Sequence, residues 1–102
     1  MANNPITASG AVPLGFSIIA ATSTLALTAT ASGSANSAGF MGAFSLLNTD
    51  GNAHVLTLLK NNGAVQGKAT FGGGKHGSLR MIAYNNLWYV IWASPDITIT
   101  GV

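Results

Sequence analysis

Only a few side chains in this sequence could carry acid–base, nucleophilic or metal chemistry. The carboxylates are Asp50 and Asp96, and the imidazoles are His54 and His76. A glycosidase needs a facing pair of Asp or Glu side chains as acid and base or nucleophile. Both aspartates fall in turn sequences, where Asp is favoured for backbone reasons alone. We therefore expect these two residues to form turns and not a catalytic pair.

The histidines lack the spacing of a metal centre. His54 and His76 form neither an HxH nor an HExxH motif, and a zinc site would need a third strong ligand. The chain has no cysteine, which excludes disulfides, thiolate zinc ligands and thiol nucleophiles. We expect no metal and no other cofactor, with one exception: a histidine ring on the symmetry axis of an oligomer would escape this argument.

Two further motifs of enzymes, a nucleophile elbow and a phosphate-binding glycine loop, are not supported by the sequence. There is no GxSxG nucleophile elbow. The segment GGGKHG at 72–77 matches GxGxxG, which binds phosphate when it follows a strand and opens a helix. A strand pattern, SLRMI at 78–82, follows it here. The sequence therefore predicts a flexible hairpin tip at 72–77, and a protein that is not an enzyme.

The composition excludes several classes of protein. Charged residues make up 6% of the chain, against about 25% in typical domains. The four cations are spread singly, whereas a nucleic-acid footprint needs them clustered. The stretch 11–31 is uncharged, but its Pro, Gly, Ser and Thr residues argue against a membrane helix. No cation precedes it, as a signal peptide would require. We expect neither a nucleic-acid nor a membrane partner.

The scarcity of charge also indicates association. Interspersed charges keep protein surfaces soluble and apart, and this chain has only six charged residues in 102. We therefore expect neighbouring subunits to cover much of its surface.

Most of the chain alternates between apolar and polar residues with a period of two, which is typical of half-buried strands. The alternating stretches are 25–30, 40–47, 54–60, 65–71, 78–84, 87–92 and 97–100. Turn signals separate them at 48–52, 61–63, 85–86 and 94–96, and Asp50-Gly51 predicts a hairpin. The pattern predicts an all-β fold, a compact β-sandwich of jelly-roll type with about seven to eight short antiparallel strands.

The chain divides into an extended N-terminal arm, residues 1–15, and a β-sandwich domain, residues 16–102. Prolines and glycines without periodicity characterise the arm, and 31–38 suits a loop. The predicted core consists of Leu25, Leu27, Phe44, Leu46, Val55, Leu79, Met81, Val90 and either Trp88 or Trp92.

An aromatic run, WYVIW at 88–92, is the densest feature of the sequence. Strict alternation places Trp88 and Trp92 on one face of a strand and Tyr89 on the other. Exposed aromatic rings on a strand can stack on sugars or bases. The competing interpretation, which we favour, is that one face fills the core and the other packs against a neighbouring subunit.

Three segments resemble small β-rich structural modules of tailed bacteriophages. The segment YNNLWYVI at 84–91 resembles their Asn-rich turn followed by an aromatic strand. FSLLNTDG at 44–51 and VLTLLK at 55–60 resemble the preceding strands. The resemblance covers roughly 24–93, and residues 1–16 have no counterpart in it.

This resemblance implies a virion structural protein. Capsid decoration (cement) proteins are short chains, often trimers, that clamp neighbouring capsomers through the major capsid protein. With 102 residues from Met1 there is no room for a fibre shaft, so decoration of the capsid surface is expected. The expected contacts with partners lie in the arm, at Pro5, Ile6, Val12, Pro13, Leu14 and Phe16. Deleting 2–15 should then leave a folded domain that no longer binds heads.

Two alternatives stay open. The first is a tail-fibre or receptor-binding tip that holds carbohydrate on an aromatic face of Tyr84, Trp88, Tyr89 and Trp92. The second is a structural lattice protein with no phage origin.

Overall fold

A computed structural model of the chain describes residues 5–31, 40–73 and 77–102. These residues form nine β-strands and no helix, which confirms the all-β prediction. The strands are β1 (Gly10–Ala11), β2 (Gly15–Ile19), β3 (Ala26–Thr30), β4 (Phe40–Asn48), β5 (Val55–Leu59), β6 (Val65–Phe71), β7 (Ser78–Tyr84), β8 (Leu87–Ala93) and β9 (Ile97–Thr100). Nothing in these ranges is a helix with the length and apolarity needed to span a bilayer.

The strands lie in two mixed, open sheets. Sheet A has the order β2-β4-β7-β8, and sheet B has the order β1-β3-β5-β6-β9. The pairs β1/β3, β2/β4 and β3/β5 are parallel, and the other pairs are antiparallel. The expectation of antiparallel strands throughout is therefore wrong for these three pairs.

The parallel pairs arise because the chain alternates between the sheets. It runs from β2 in sheet A to β3 in sheet B, then to β4 in sheet A and β5 in sheet B. The chain thus forms two strand–turn–strand arcs, residues 15–30 and 44–59. The first strands of the two arcs pair in sheet A, and their second strands pair in sheet B, so the arcs stack side by side. Hydrogen bonds between their turns join residues 29 positions apart, which is also the offset of the paired strands.

The predicted Asp50-Gly51 hairpin is wrong. β4 and β5 flank this turn, but they belong to different sheets and do not pair with each other. Asp-Gly supplies a turn in either arrangement, because its local preference fixes only a reversal of the backbone. The contacts between the two arcs decide that this turn crosses from one sheet to the other.

Much of the predicted arm packs along the edges of both sheets. Ile6 pairs with Ile19 in parallel, and its N–H donates to Ile18 O over 2.8 Å. Four residues later β1 pairs with β3, and Val12 enters the core. Residues 5–12 therefore lie beside the first arc, along the edge of each sheet. Residues 1–4 lie outside the described residues.

The remaining turns follow the sequence expectation where they are described. Turn 61–63 joins β5 to β6, and turn 85–86 joins β7 to β8, each as an antiparallel hairpin. Asn85 and Asn86 have φ angles of 54° and 69°, the left-handed pair that a type I′ hairpin requires. The segment 94–96 turns the chain from β8 to β9. Residues 32–38 of the predicted loop and residues 74–76 of the GGGKHG tip lie outside the described residues.

The inward-facing side chains of both sheets form one hydrophobic cluster. Its large members that the sequence predicted are Leu25, Leu27, Phe44, Leu46, Leu79, Met81 and Trp88. Val55 is only half-buried, because Leu56 and Leu58 on the alternate face of β5 point inward. Val90 is exposed, because it lies on the edge strand of sheet A. The predictions for Val55 and Val90 are therefore wrong.

Trp88 connects the two sheets across this core. Its indole N–H lies 3.1 Å from both Ala29 O and Leu59 O, at the ends of β3 and β5. Its ring meets Phe44 edge to face, with centroids 5.2 Å apart. The Trp88 side chain is fully buried, and its one polar atom, the indole nitrogen, hydrogen-bonds to backbone carbonyls of the opposite sheet. Buried polar groups need such partners.

We expect Trp88→Phe to lower the free energy of unfolding by about 2–4 kcal/mol, since it removes both indole hydrogen bonds and leaves a cavity. Urea denaturation followed by circular dichroism measures this. Trp92→Phe is the matched control, because that ring is mostly exposed, and it should change stability by less than about 0.5 kcal/mol. Equal losses in the two variants would contradict the role assigned to Trp88.

Candidate functional site

The outer face of sheet A is apolar and uncovered in the described structure. Phe16, Ser45, Arg80 and Trp92 are paired in one row across its four strands. Paired residues point to the same side of a sheet, so these four side chains share the outer face. Neighbouring rows contain Ile18, Leu47 and Ser78, and Ala43, Ile82 and Tyr89.

A β-bulge in β8 decides which aromatic side chains reach this face. Met81 pairs with Val90 and Arg80 pairs with Trp92, so Ile91 is an extra residue in β8. An extra residue shifts the alternation beyond it by one position. Trp92 therefore lies outside while Trp88 is buried, with exposures of 58% and 1%. The expectation that both tryptophans share one face is wrong for this reason.

Exposed side chains on β8 and at the end of β7 form a second apolar feature. They are Tyr84 of β7 and Tyr89, Val90 and Ile91 of β8, and we call them the aromatic edge. The two tyrosine rings lie 6.4 Å apart, centroid to centroid. Because β8 is an edge strand, this apolar group borders a row of backbone groups that sheet pairing leaves open. Native proteins seldom leave such an edge uncovered.

Gln66 closes part of that open edge. Its side-chain amide accepts from Trp88 N–H over 2.7 Å and donates to Trp88 O over 3.0 Å. It thereby occupies two of the positions at which a further strand could hydrogen-bond to β8, the N–H and the C=O of Trp88. Contacts with a partner at this point of the edge must therefore be made by side chains.

A groove of about 350 Å³ runs over the outer face of sheet A. Phe16 and Trp92 line it, together with Ser45, Leu46, Leu47, Ser78, Leu79 and Arg80. Arg80 Nε donates to Ser45 Oγ over 3.2 Å. The indole N–H of Trp92 donates to Ser78 Oγ over 3.1 Å. Both long side chains are thus held at one end by a serine hydroxyl.

Arg80 is the only charged residue that the described structure places on this face. The chain has two carboxylate side chains, Asp50 and Asp96. Asp50 bonds to His54, and Asp96 accepts from the Ser94 hydroxyl at 2.7 Å. Between described residues, no lysine or arginine side chain lies within 4 Å of a carboxylate oxygen. No side chain of the chain itself therefore neutralises the Arg80 guanidinium.

Asp50 and His54 come together in the turn between β4 and β5. His54 Nε2 lies 2.8 Å from an Asp50 oxygen, and its Nδ1 accepts the Leu25 N–H over 2.9 Å. Because Nδ1 accepts a hydrogen bond, Nε2 carries the ring proton, and the Nε2–H group donates a hydrogen bond to Asp50. A catalytic histidine needs a nitrogen that faces a nucleophile or substrate, whereas both nitrogens of the fully buried His54 ring are engaged. The pair connects one arc to the next.

Hydrogen bonds set the pKa of Asp50. Burial by itself would raise this pKa, but donation from the N–H groups of Ala21 and Asn52 and from the His54 ring outweighs burial and lowers it. Ala21 belongs to the other arc, and its N–H lies 2.8 Å from Asp50 Oδ2. The charged carboxylate therefore stabilises the stacking of the arcs.

The residues expected to bind partners through the arm are divided between surface and interior. Pro5, Pro13, Leu14 and Phe16 are exposed, Ile6 is half-buried and Val12 is in the core. Leu14 lies over Gly42, where a Cβ would come within 2.9 Å of its side chain. Gly42 also has a φ of 134°, which favours glycine.

Four features of the structure were missed from the sequence. The pairing of Asp50 with His54 was detectable as a Asp-x-x-x-His spacing in a turn, but that spacing does not specify a contact. Arg80 stood in the alternating pattern as an outward residue, and only the sheet places it between Phe16 and Trp92. Neither the bulge at Ile91 nor the Gln66 contact has a signal in the sequence.

Within the described residues, no group of three or more His, Cys, Asp or Glu side chains could hold a metal ion, and His76 is not among them. Comparison of the chain with known protein families, with curated proteins and with solved structures found no match.

The lowered pKa of Asp50 predicts a specific acid sensitivity. Since the folded pKa lies below the ordinary 3.8, the carboxylate stabilises the fold above that pH, and this contribution is lost as pH falls through the folded pKa. Between about pH 5 and pH 2 the wild type should therefore lose more unfolding free energy than Asp50→Asn. Urea titrations at several pH values measure this. Asp96→Asn removes the other carboxylate, and an equal effect of both variants would contradict a specific role of Asp50.

Proposed function

We propose that this protein is a bacteriophage virion structural protein, a capsid decoration (cement) protein. It would bind as a homo-oligomer, a trimer in the simplest form, between capsomers on the capsid surface. The observation that supports this best is the uncovered aromatic edge along the open side of sheet A. In this proposal the two sheets are the layers of a β-sandwich of jelly-roll type.

The size of the apolar surface suits a protein interface. Tyr84, Tyr89, Ile91 and Trp92 are each about half exposed, as are Phe16 and Leu14. With 150–250 Å² for a whole aromatic side chain, these groups offer roughly 600 Å² of apolar surface. A specific interface buries about 800 Å² on each partner. Exposed Tyr and Trp are also the residue types that dominate binding energy in interfaces.

The distribution of charge agrees with an assembly role. Five of the six charged residues are described, and only Arg80 lies on the outer face of sheet A. Charged residues are depleted from the centres of interfaces. The aromatic edge itself contains no charged residue, so a partner can cover it without the large cost of desolvating a charge.

The N-terminal segment would supply a second contact, to the major capsid protein. Its exposed apolar residues are Pro5, Pro13, Leu14 and Phe16. Each contact of this kind is weak, but several subunits of one oligomer raise the effective concentration of the next contact. Linked weak contacts would thus clamp neighbouring capsomers.

Self-association through the aromatic edge can be tested by sedimentation velocity. We expect the wild type to sediment as an oligomer and Ile91→Ser to shift it toward the monomer, because a hydroxyl replaces an apolar group at the centre of the contact. Val65→Ser is the matched control, since Val65 is 61% exposed but lies on sheet B. A monomeric wild type, or the same shift in both variants, would contradict the proposed interface.

Binding to heads can be tested by co-sedimentation with empty phage heads. Val12 is part of the core, so deleting 2–15 would remove core packing along with the arm, and a point substitution is cleaner. We expect Leu14→Ser to weaken head binding about tenfold, a change of about 1.4 kcal/mol, while Val65→Ser leaves it unchanged. If the wild type stayed in the supernatant, the decoration proposal would be wrong.

The groove favours one alternative, a tail-fibre or receptor-binding module that holds carbohydrate. Of the four aromatic residues expected to form its binding face, Trp88 is buried, and Tyr84, Tyr89 and Trp92 are exposed. Trp92 lies beside a concave site with polar groups at its floor, which is the usual form of a small-ligand site.

A further inference from the structure

We propose that the groove between Phe16 and Trp92 binds a carboxylate-bearing saccharide, a uronic acid residue of a polysaccharide. The sugar ring would pack on the Trp92 indole, and its carboxylate would pair with Arg80. This site goes beyond the assembly role proposed above and does not depend on it.

The argument begins with the charge of Arg80. The guanidinium lies on an apolar sheet face, and neither Asp50 nor Asp96 forms an ion pair with it. An arginine presents five N–H donors, and the bond to Ser45 from Nε is the one that Arg80 makes to another described side chain. The terminal N–H groups remain in the geometry that binds a carboxylate in a bidentate manner.

The other polar groups of the groove are donors as well. Ser45 Oγ accepts from Arg80, and Ser78 Oγ accepts from the Trp92 indole. Each hydroxyl therefore keeps its own hydrogen to donate, since a serine is one donor and two acceptors. A cluster of donors around one cation suits a ligand rich in acceptors, such as a carboxylate with its neighbouring ring and hydroxyl oxygens.

The indole of Trp92 supplies an ordered stacking surface. Its N–H is fixed to Ser78 Oγ at 3.1 Å, so the ring orientation is set before a ligand arrives. Preorganised groups lower the entropy cost of binding. The apolar C–H face of a pyranose can pack against such an aromatic ring, which provides the large contact area that aromatic side chains bring to recognition.

The dimensions fit a short stretch of saccharide. The groove has about 350 Å³, and a second depression of about 260 Å³ adjoins it. Phe16, Ser45 and Arg80 line both depressions, so Arg80 lies where the two meet. Two adjoining sites on either side of one cation suit consecutive residues of a polymer with the acidic residue at Arg80.

A peptide or a second copy of the chain fits the site less well. Recognition of an extended peptide by strand addition needs the open edge of a sheet, whereas Ser45 and Arg80 lie on β4 and β7, whose backbones are paired on both sides. The side-chain carboxylates of a second copy are Asp50 and Asp96: Asp50 accepts hydrogen bonds within its own turn, and Asp96 accepts from Ser94 through Oδ1 while its Oδ2 is buried. The groove therefore calls for a carboxylate from outside the chain.

Nuclear magnetic resonance titration tests the proposal on the full chain. The probes are trimers of galacturonate, glucuronate and mannuronate, each paired with its neutral methyl ester. We expect at least one acidic trimer to shift the Trp92 indole and Arg80 Nε–H resonances, with its methyl ester at least tenfold weaker. A peptide of three glutamates serves as the competing carboxylate source and should be at least tenfold weaker as well.

Variants locate the site. Arg80→Gln should abolish the preference for the acidic trimer over its methyl ester. Trp92→Ala should weaken the binding of both the acid and the ester. Lys68→Gln, at an exposed cation on sheet B, should leave affinity unchanged. The proposal is overturned if no trimer shifts the Trp92 resonance at 10 mM, if glutamate peptide binds as well as every uronate, or if Lys68→Gln loses as much affinity as Arg80→Gln.

The outcome can be separated from that of the assembly proposal. Arg80→Gln should sediment like the wild type, because Arg80 is not part of the aromatic edge. Uronate binding with a monomeric wild type would support this site and contradict the interface. An oligomer that fails to bind any uronate would do the reverse.

Discussion

The stacking of two strand–turn–strand arcs is the constraint on which the rest of this structure depends. A turn that carries the chain from one sheet to the other takes backbone donors into a partly buried region, where unpaired N–H groups are costly. Side chains of the second arc accept hydrogen bonds from the backbone N–H groups in the turn of the first arc: Asp50 accepts from Ala21 N–H and His54 accepts from Leu25 N–H. These bonds fix one register for both parallel strand pairs, and with it the rows of side chains on each face.

The outer face of sheet A follows from that register. β4 lies between β2 and β7, so the arcs bring Phe16 alongside Ser45, and the antiparallel strands continue the row to Trp92. The bulge at Ile91 then separates two tryptophans that strict alternation would place together. Trp88 connects the sheets through the core, and Trp92 is left at the surface beside Arg80. One extra residue thus places one tryptophan of β8 in the core and the other at the surface.

The small number of charged residues affects both the packing of the arcs and the outer face of sheet A. With two side-chain carboxylates in 102 residues, the use of Asp50 between the arcs and of Asp96 in its turn leaves Arg80 without a carboxylate partner. An unpaired cation on an apolar face is a feature that a partner or ligand can complete. The same scarcity makes the aromatic edge easy to bury, because no charge there has to lose its hydration.

Composition and local pattern determined the all-β class, most of the strands, the hairpins at 61–63 and 85–86 and most of the large core residues, because period-two alternation and turn chemistry are local properties. Tertiary structure alone decided the parallel pairs, the cross-sheet turn at Asp50-Gly51, the exposure of Val90 and the position of Trp92. Each of these depends on which strands become neighbours, and that is set by contacts between residues far apart in sequence, such as Leu25 with His54. The alternation placed Arg80 outside, but only the assembled sheet placed it in a groove between two aromatic rings.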